Sequence, residues 1–430
     1  AAVLLTGTLN RVMIVELSIP AGLVATIIAI PLLVAPLRAL IGHKSDTHRS
    51  VLGWRRVPYI WFGTMMQFGG LSIMPFALLL LSGPDHVALG IAISALAFLL
   101  TGLGLHTTQT AGLALATDLA TEDKRPRAVA LLYVMLLAGT MLAALVIGSL
   151  LVDFSPTRLV QVIQGAAALT LVLNIVALWK QEPRGTLRTA SDPDGPSFMT
   201  LWRAFVAEER TARLLAAIGI GAAAFAMQDA LLEPYGGEIL GLSVGSTTML
   251  TGAWAGGALM GFCLAGRSLS HGGDPLRLAG VGLVAGITAF LLVLFAAPFA
   301  SVLLLFAGAF AIGFGLGLFS VGTLTETMVR ARGEGAGLAL GAWGAVQASC
   351  AGVAIAIGGG LRDALSHTAS SGGLSGALNT PAAGYAGVYI IEIVLLLAAL
   401  VALGPLVARR RDIGGTQPIA GSFGLREFPT

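Results

Sequence analysis

A chain of 430 residues that is 56% hydrophobic and only 11% charged, with mean hydropathy +0.87, falls well below the roughly 25% charged content of a soluble domain and reads as a protein that crosses a membrane many times. Its net charge of +3 is small and its basic residues are segregated rather than spread, so no nucleic-acid partner follows, and its apolar runs lack the alternation of a porin-like barrel. The 57 glycines, mixed with alanine inside those runs, suit helices that approach one another backbone to backbone.

Taken in order, the chain opens at Ala1 without a methionine, and its first apolar stretch is shorter than the roughly 20 residues that cross a bilayer. It reads as the second half of a helix whose start lies in a cytoplasmic extension of the intact protein. Asn10 and Arg11 are an unusual polar pair in that helix. Whole spans are expected at residues 20–41, 57–81, 87–118, 127–152, 157–179, 212–234, 243–266, 276–297, 298–328, 335–361 and 383–407, which makes twelve with the truncated one.

Between the second and third of these lies GHKSDTHRSVLGWRRVP, a dense basic loop. Of the 25 Lys and Arg, all but Arg11, Arg158 and Arg362 fall on the side of this loop, so the positive-inside rule makes that side, and both termini, cytoplasmic. Asp46, Arg49, Arg55 and Arg56 could form a charge network tying helices together, or could be a solvated topological anchor. Asp118 and Glu326 sit at corresponding ends of the fourth and tenth spans, each followed by arginines, and read as locks between halves rather than proton carriers.

Residues 181–211 form the longest polar interruption, a linker with an amphipathic segment. It separates a bundle at 1–180 from a second at 212–407, with a cytoplasmic tail at 408–430. An internal repeat supports the division: ELSIP before the second span recurs as GLSVG before the eighth, and Thr117-Asp118 with its charged sequel recurs at Thr325-Glu326.

In the seventh span, Asp229 and Glu233 are four residues apart and share a face beside Gln228. They form either a polar floor for a central cavity or the outer end of a helix broken by Pro234 and Gly236-Gly237. His106 lies well inside the fourth span, with Thr107, Thr108 and Gln109 at hand as hydrogen-bond partners. Gly252, Gly256, Gly257 and Gly261, and then Gly313, Gly315 and Gly317, read as close helix packing. The two cysteines, Cys263 and Cys350, read as small packing residues. No catalytic motif, phosphate loop or free-metal ligand cluster is expected, so an enzyme reading has no residues behind it.

Two six-helix bundles, a long linker and a charged loop after the second helix resemble the major facilitator superfamily, whose loop signature is matched by Gly42, Asp46, Gly53, Arg55 and Arg56. The loop differs by extra residues at 47–52. NRVMIVELSIP, ALIGHKSDTHRSVLGWRRVPYIWFGTMMQFGG, ATDLATEDKRPRAVALLYVM and FGLREFP further resemble the PucC and LhaA family of phototrophic bacteria. That resemblance implies an all-α assembly factor for light-harvesting complexes in the bacterial inner, intracytoplasmic membrane. It implies bacteriochlorophyll as cofactor and antenna α/β polypeptides as partners, with the reaction-centre complex a further candidate. Under it, His106 becomes a candidate axial ligand to chlorin magnesium, with Gln109, Asn10 and Arg11 as further pigment-binding candidates. The rival is a proton-coupled transporter of a small solute or pigment, which needs a carboxylate deep in the bundle; the carboxylates considered lie near helix ends. A purely structural membrane protein is a third reading.

Overall fold

The computed structural model describes residues 1–34, 54, 56–121, 124–179, 181, 211–330, 336–371 and 380–412. Within them the chain is helical throughout. A first pass combines α1 (Leu9–Arg11) with flanking π-helical turns at Leu4–Thr8 and Val12–Glu16. Then come α2 (Ala21–Val34), α3 (Val57–Ser82), α4 (Val87–Leu119), α5 (Arg125–Leu150) and α6 (Pro156–Leu178). The second set comprises α7 (Thr211–Ala226) and α8 (Leu232–Glu238) in one pass, α9 (Val244–Ser270), α10 (Pro275–Ala296), α11 (Val302–Arg330), α12 (Ala336–Ser370) and α13 (Ala383–Asp412). Among the described residues ten helical segments are long and apolar enough to cross a membrane, and Ala21–Val34 is a shorter apolar helix. The expected amphipathic segment and most of the linker lie outside the described residues.

α3 packs along α4 as α10 packs along α11. The two sets meet where α2 lies on α12 and α5 lies on α9. Glycine decides how close these approaches are. The stripe on α9 splits between two partners: Gly252 and Gly256 face Ala144 and Met141 of α5, whereas Gly257 and Gly261 face the backbone of α11 at Phe310 and Phe314. Gly313, Gly315 and Gly317 divide likewise, the outer two against α9 and Gly315 against Gly282 of α10. Gly22 of α2 lies against Gly360 of α12 in the same manner. Cys350 packs near Gly219, but Cys263 is exposed on its helix and is not a packing residue.

The turns before α2 and α9, where the sequence repeat falls, share a backbone feature. Ser18 (φ 52°) and Gly241 (φ 65°) are left-handed, and each stands three residues before the first residue of its helix. The structural repeat is therefore offset from the ELSIP/GLSVG alignment, which pairs Ser18 with Ser243.

The close approaches carry a prediction. A Cβ at Gly313 would meet the backbone nitrogen of Ala258 at 2.9 Å, whereas one at Gly344 meets nothing within 4 Å. Gly313→Ala should lower the thermal unfolding temperature of the purified protein, by an overpacking cost of about 1–3 kcal/mol. Gly344→Ala should leave it unchanged or raise it, because alanine is the better helix former. Equal melting of the two variants would contradict the packing described.

Candidate functional site

The seventh pass is interrupted, and the interruption builds the site. Pro234 would clash in a continuous helix with the carbonyl four residues earlier, that of Ala230, and it has no N–H to donate. The helix yields one turn upstream: α7 ends at Ala226, a 3₁₀ turn occupies Met227–Ala230, and α8 restarts at Leu232 with Pro234 in its first turn, where an N–H is dispensable. The sequence expectation placed the break at Pro234 and Gly236-Gly237. The structure corrects this, since α8 runs through all three to Glu238.

A break inside hydrocarbon frees backbone groups that must be satisfied within the protein. The Asp229 carbonyl accepts from Asn10 Nδ2 at 3.2 Å, the Gln228 carbonyl from the Leu231 amide at 2.7 Å, and the Phe225 carbonyl from Gln228 Nε2 at 3.4 Å. Asn10 and the Gln228–Glu233 segment thus touch across the two sets of helices. Asn10 Nδ2 also lies 3.4 Å from Glu233 Oε2, and Thr251 of α9 donates to Glu233 Oε1 at 2.7 Å. A Thr8–Thr248 hydroxyl pair at 3.1 Å adds a further bond between the sets.

Glu233 is therefore buried inside the protein, which removes the reading of this segment as a helix end at the outer interface. Asp229 is partly buried and accepts from Gln228 Nε2 at 2.5 Å. Beside them lies Glu392 of α13, 0% exposed, a deep carboxylate absent from the sequence expectations. The signal was present: Glu392 sits in the middle of YIIEIVLLL, with Tyr389 and Tyr385 three and seven residues before it on the same helix face. Those tyrosines continue a run of rings, with Tyr235 5.3 Å from Tyr385 and 5.4 Å from Tyr389, and Phe290 6.3 Å from Tyr389.

Toward the face opposite the basic loop, Arg362 is a hub. It pairs with Glu238, reaches Asp363 at 3.0 Å and the Tyr385 hydroxyl at 3.1 Å, and lies 4.6 Å from the Tyr385 ring centre. Asp363 in turn accepts from the Gly22 amide of α2 at 2.8 Å. Arg11 pairs with Glu16 and donates to the Leu242 carbonyl at 3.0 Å. Glu238, Arg362 and Asp363 line a cleft of about 440 Å³ with Ile14, Ser18 and Pro20. Arg362 stands out in the sequence only as a basic residue on the side opposite the basic loop, and nothing there points to Glu238 or Tyr385 as its partners.

At the basic-loop face, Arg56 Nε donates to Asp118 at 3.1 Å, joining α3 to α4, and Arg330 donates to Glu326 at 2.9 Å one turn away on α11. Gly42, Asp46, Arg49, Gly53 and Arg55 lie outside the described residues. His106 is buried on α4, engaged by groups of the protein, and its carbonyl accepts from Thr110 at 2.8 Å. Gln109 is partly buried. Thr107 donates to the Leu103 carbonyl at 2.7 Å and Thr108 accepts from Gln67 at 3.0 Å. Asn10 and Arg11, grouped with His106 from sequence, instead direct their hydrogen bonds to the seventh pass and its neighbouring turn. The seventh-pass break gathers hydrogen-bond acceptors and carboxylates. Among the described residues, no three His, Cys, Asp or Glu group as metal ligands.

The Arg362 hub is testable. Arg362→Leu strips partners from Glu238 and Tyr385 and should lower stability by about 1–3 kcal/mol in thermal unfolding. Arg362→Lys should recover only part of that, since an ammonium cannot span the acceptors that the planar fork reaches together. Full recovery by lysine would show that charge alone, not the fork, holds this face.

Comparison with known proteins places this geometry. The chain is 53% identical to a Rhodobacter capsulatus protein named "Uncharacterized protein in puhA-bchM intergenic region", over 100% of this chain and 91% of that one. It is 54% identical to "Protein PucC" of Rhodovulum sulfidophilum over 85% of this chain and 82% of that one. Among solved structures, a bacterial homolog of the human lysosomal transporter Spinster, in an inward-facing and unoccupied conformation, superposes with TM-score 0.70 at 16% identity, covering 100% of this chain and 95% of that one. A peptide transporter POT superposes with TM-score 0.66 at 16% identity, covering 95% and 92%. The fold is that of the major facilitator transporters, in an integral all-helical membrane protein. The family described as "PUCC protein" matches residues 8–411, and the chain belongs to that family.

Proposed function

We propose that this protein is an assembly factor for bacterial light-harvesting complexes, which binds bacteriochlorophyll and nascent antenna α/β polypeptides in the inner membrane and brings them together. Membership of the PUCC protein family over nearly the whole chain is the observation that carries this reading. The helix surfaces are compatible with it. α5 and α6 turn long apolar faces outward, Leu142 and Val146 on one and Leu169, Val172 and Leu173 on the other. Gly139 and Gly165 on the same helices have open space where a side chain would stand. Such flat apolar strips suit a second helix or a macrocycle edge as well as lipid. No covalent chemistry is proposed, and the basic-loop face with both termini is assigned to the cytoplasm by the distribution of Lys and Arg.

His106 is the residue proposed to meet pigment. It lies twelve residues before Asp118, about 18 Å along the helix from the basic face and so within the hydrocarbon region. Neutral imidazole is a good magnesium donor, and a chlorin would have to displace the contact that His106 now makes with the protein.

A second reading, a transporter of a small solute or pigment, is favoured by the buried carboxylates of the seventh and last passes and by the transporter fold. Purification in mild detergent discriminates between the two. The assembly reading expects bacteriochlorophyll and antenna polypeptides to co-purify, with pigment lost several-fold in His106→Leu and less in His106→Asn, which keeps an oxygen donor. A colourless protein that accumulates solute in vesicles would support the transporter instead. Undiminished pigment in a stably inserted His106→Leu would remove His106 from the site.

A further inference from the structure

Glu392 has no counterpart for its charge. Both carboxylate oxygens are buried without a hydrogen-bond partner, and the Gln228 backbone approaches them without making a bond of normal geometry. Two neutral oxygens near it are in the same position: Gln228 Oε1, in a residue 2% exposed, and the hydroxyl of Tyr389, 0% exposed. Native proteins leave few buried polar atoms unsatisfied, and four in one place call for a ligand.

The charged groups on the elements packed around α13 do not fill the need. Asp229, from the 3₁₀ break, repels Glu392, and the neutral Tyr389 stands near it on the same helix. Glu233 faces Thr251 and Asn10. On α12, Arg362 is engaged by Glu238, Asp363 and Tyr385. On α7, Arg213 donates to the Ala402 carbonyl, ten residues and about 15 Å farther along α13. On α10, Arg277 stands in the first turn, at the basic-loop end.

A cluster of acceptors beside an unwound helix turn is the arrangement by which discontinuous membrane helices hold cations. We infer that Glu392, Asp229 and the Gln228 side chain form a binding site for one monovalent cation, taken up as a sodium ion or as a proton. Asp229 is only partly buried and gives the approach, while Glu392 lies wholly inside. Because Asn10 of the first pass bonds to this same break, occupancy stiffens the contact between the two sets of helices. The inference does not depend on pigment binding and holds for either reading of the function.

The test is thermal unfolding of the purified full-length protein in detergent, at constant ionic strength, in sodium, potassium or choline chloride and across pH about 6 to about 9. Sodium occupancy expects a saturable rise in melting temperature of a few degrees in sodium over choline. Proton occupancy expects no preference for sodium and a fall in melting temperature as pH rises. In either case Glu392→Gln, whose amide brings its own donors, should abolish the response, and Asp229→Asn should weaken it, providing a reading if one variant fails to accumulate. Wild-type protein indifferent to both sodium and pH, or a response unchanged in whichever of the two variants is stable, would overturn the site.

Discussion

A backbone amide or carbonyl in hydrocarbon has no water to turn to, and the structure around the seventh pass follows from that constraint. Pro234 disfavours a continuous helix, although α2, α3 and α13 run through Pro31, Pro75 and Pro405, and the turn at Met227–Ala230 leaves carbonyls that other elements must cover. The first pass covers one of them through Asn10, whose amide reaches both the Asp229 carbonyl and Glu233. Thr251 covers the other oxygen of Glu233 from α9. The first pass and α9 are thus fixed to one break, and the two sets of helices are joined by polar bonds as well as by glycine-mediated packing.

The bonds between the sets are distributed along a direction. Asn10 and Thr8 bind deep in the bundle, then Arg11 reaches Leu242 and Gly22 reaches Asp363 beside the Arg362 hub. Among the described residues, Arg56 pairs with Asp118 and Glu326 with Arg330 at the basic-loop face. With α2 on α12 and α5 on α9 as the apolar seams between the sets, the fold is of the transporter type. An assembly factor could use such a frame without transport, since a rigid scaffold with flat outer helices serves docking as well as alternating access.

Much of this was legible in the sequence because the physical signals were strong. Uninterrupted apolar runs and the segregation of Lys and Arg gave the helices and their alternation, and the glycine stripes announced close packing. The split of the α9 stripe between α5 and α11 was not legible, since a stripe does not say how many partners it has. The position of the seventh-pass break was misplaced for a related reason: a proline is felt one turn before itself, and Gly236-Gly237 are tolerated where neighbours pack tightly. Asn10 and the Gln228–Glu233 segment were singled out as polar residues in apolar surroundings, and the structure shows them in contact. Glu392 belongs to no motif and no helix end, and its sign in the sequence is a lone charge in an apolar run. His106, by contrast, stood out at once, and burial alone does not distinguish a magnesium ligand from a histidine satisfied by the protein.

The account rests on the junction between the first pass and the seventh-pass break. A double-mutant cycle on Asn10→Ala and Glu233→Ala, read by thermal unfolding of the purified protein, measures that junction directly. If the two residues hold the break together, their effects should be non-additive, with a coupling of about 1–2 kcal/mol. Effects that add to within roughly 0.5 kcal/mol would show that the two residues act independently and would contradict a junction that they hold together.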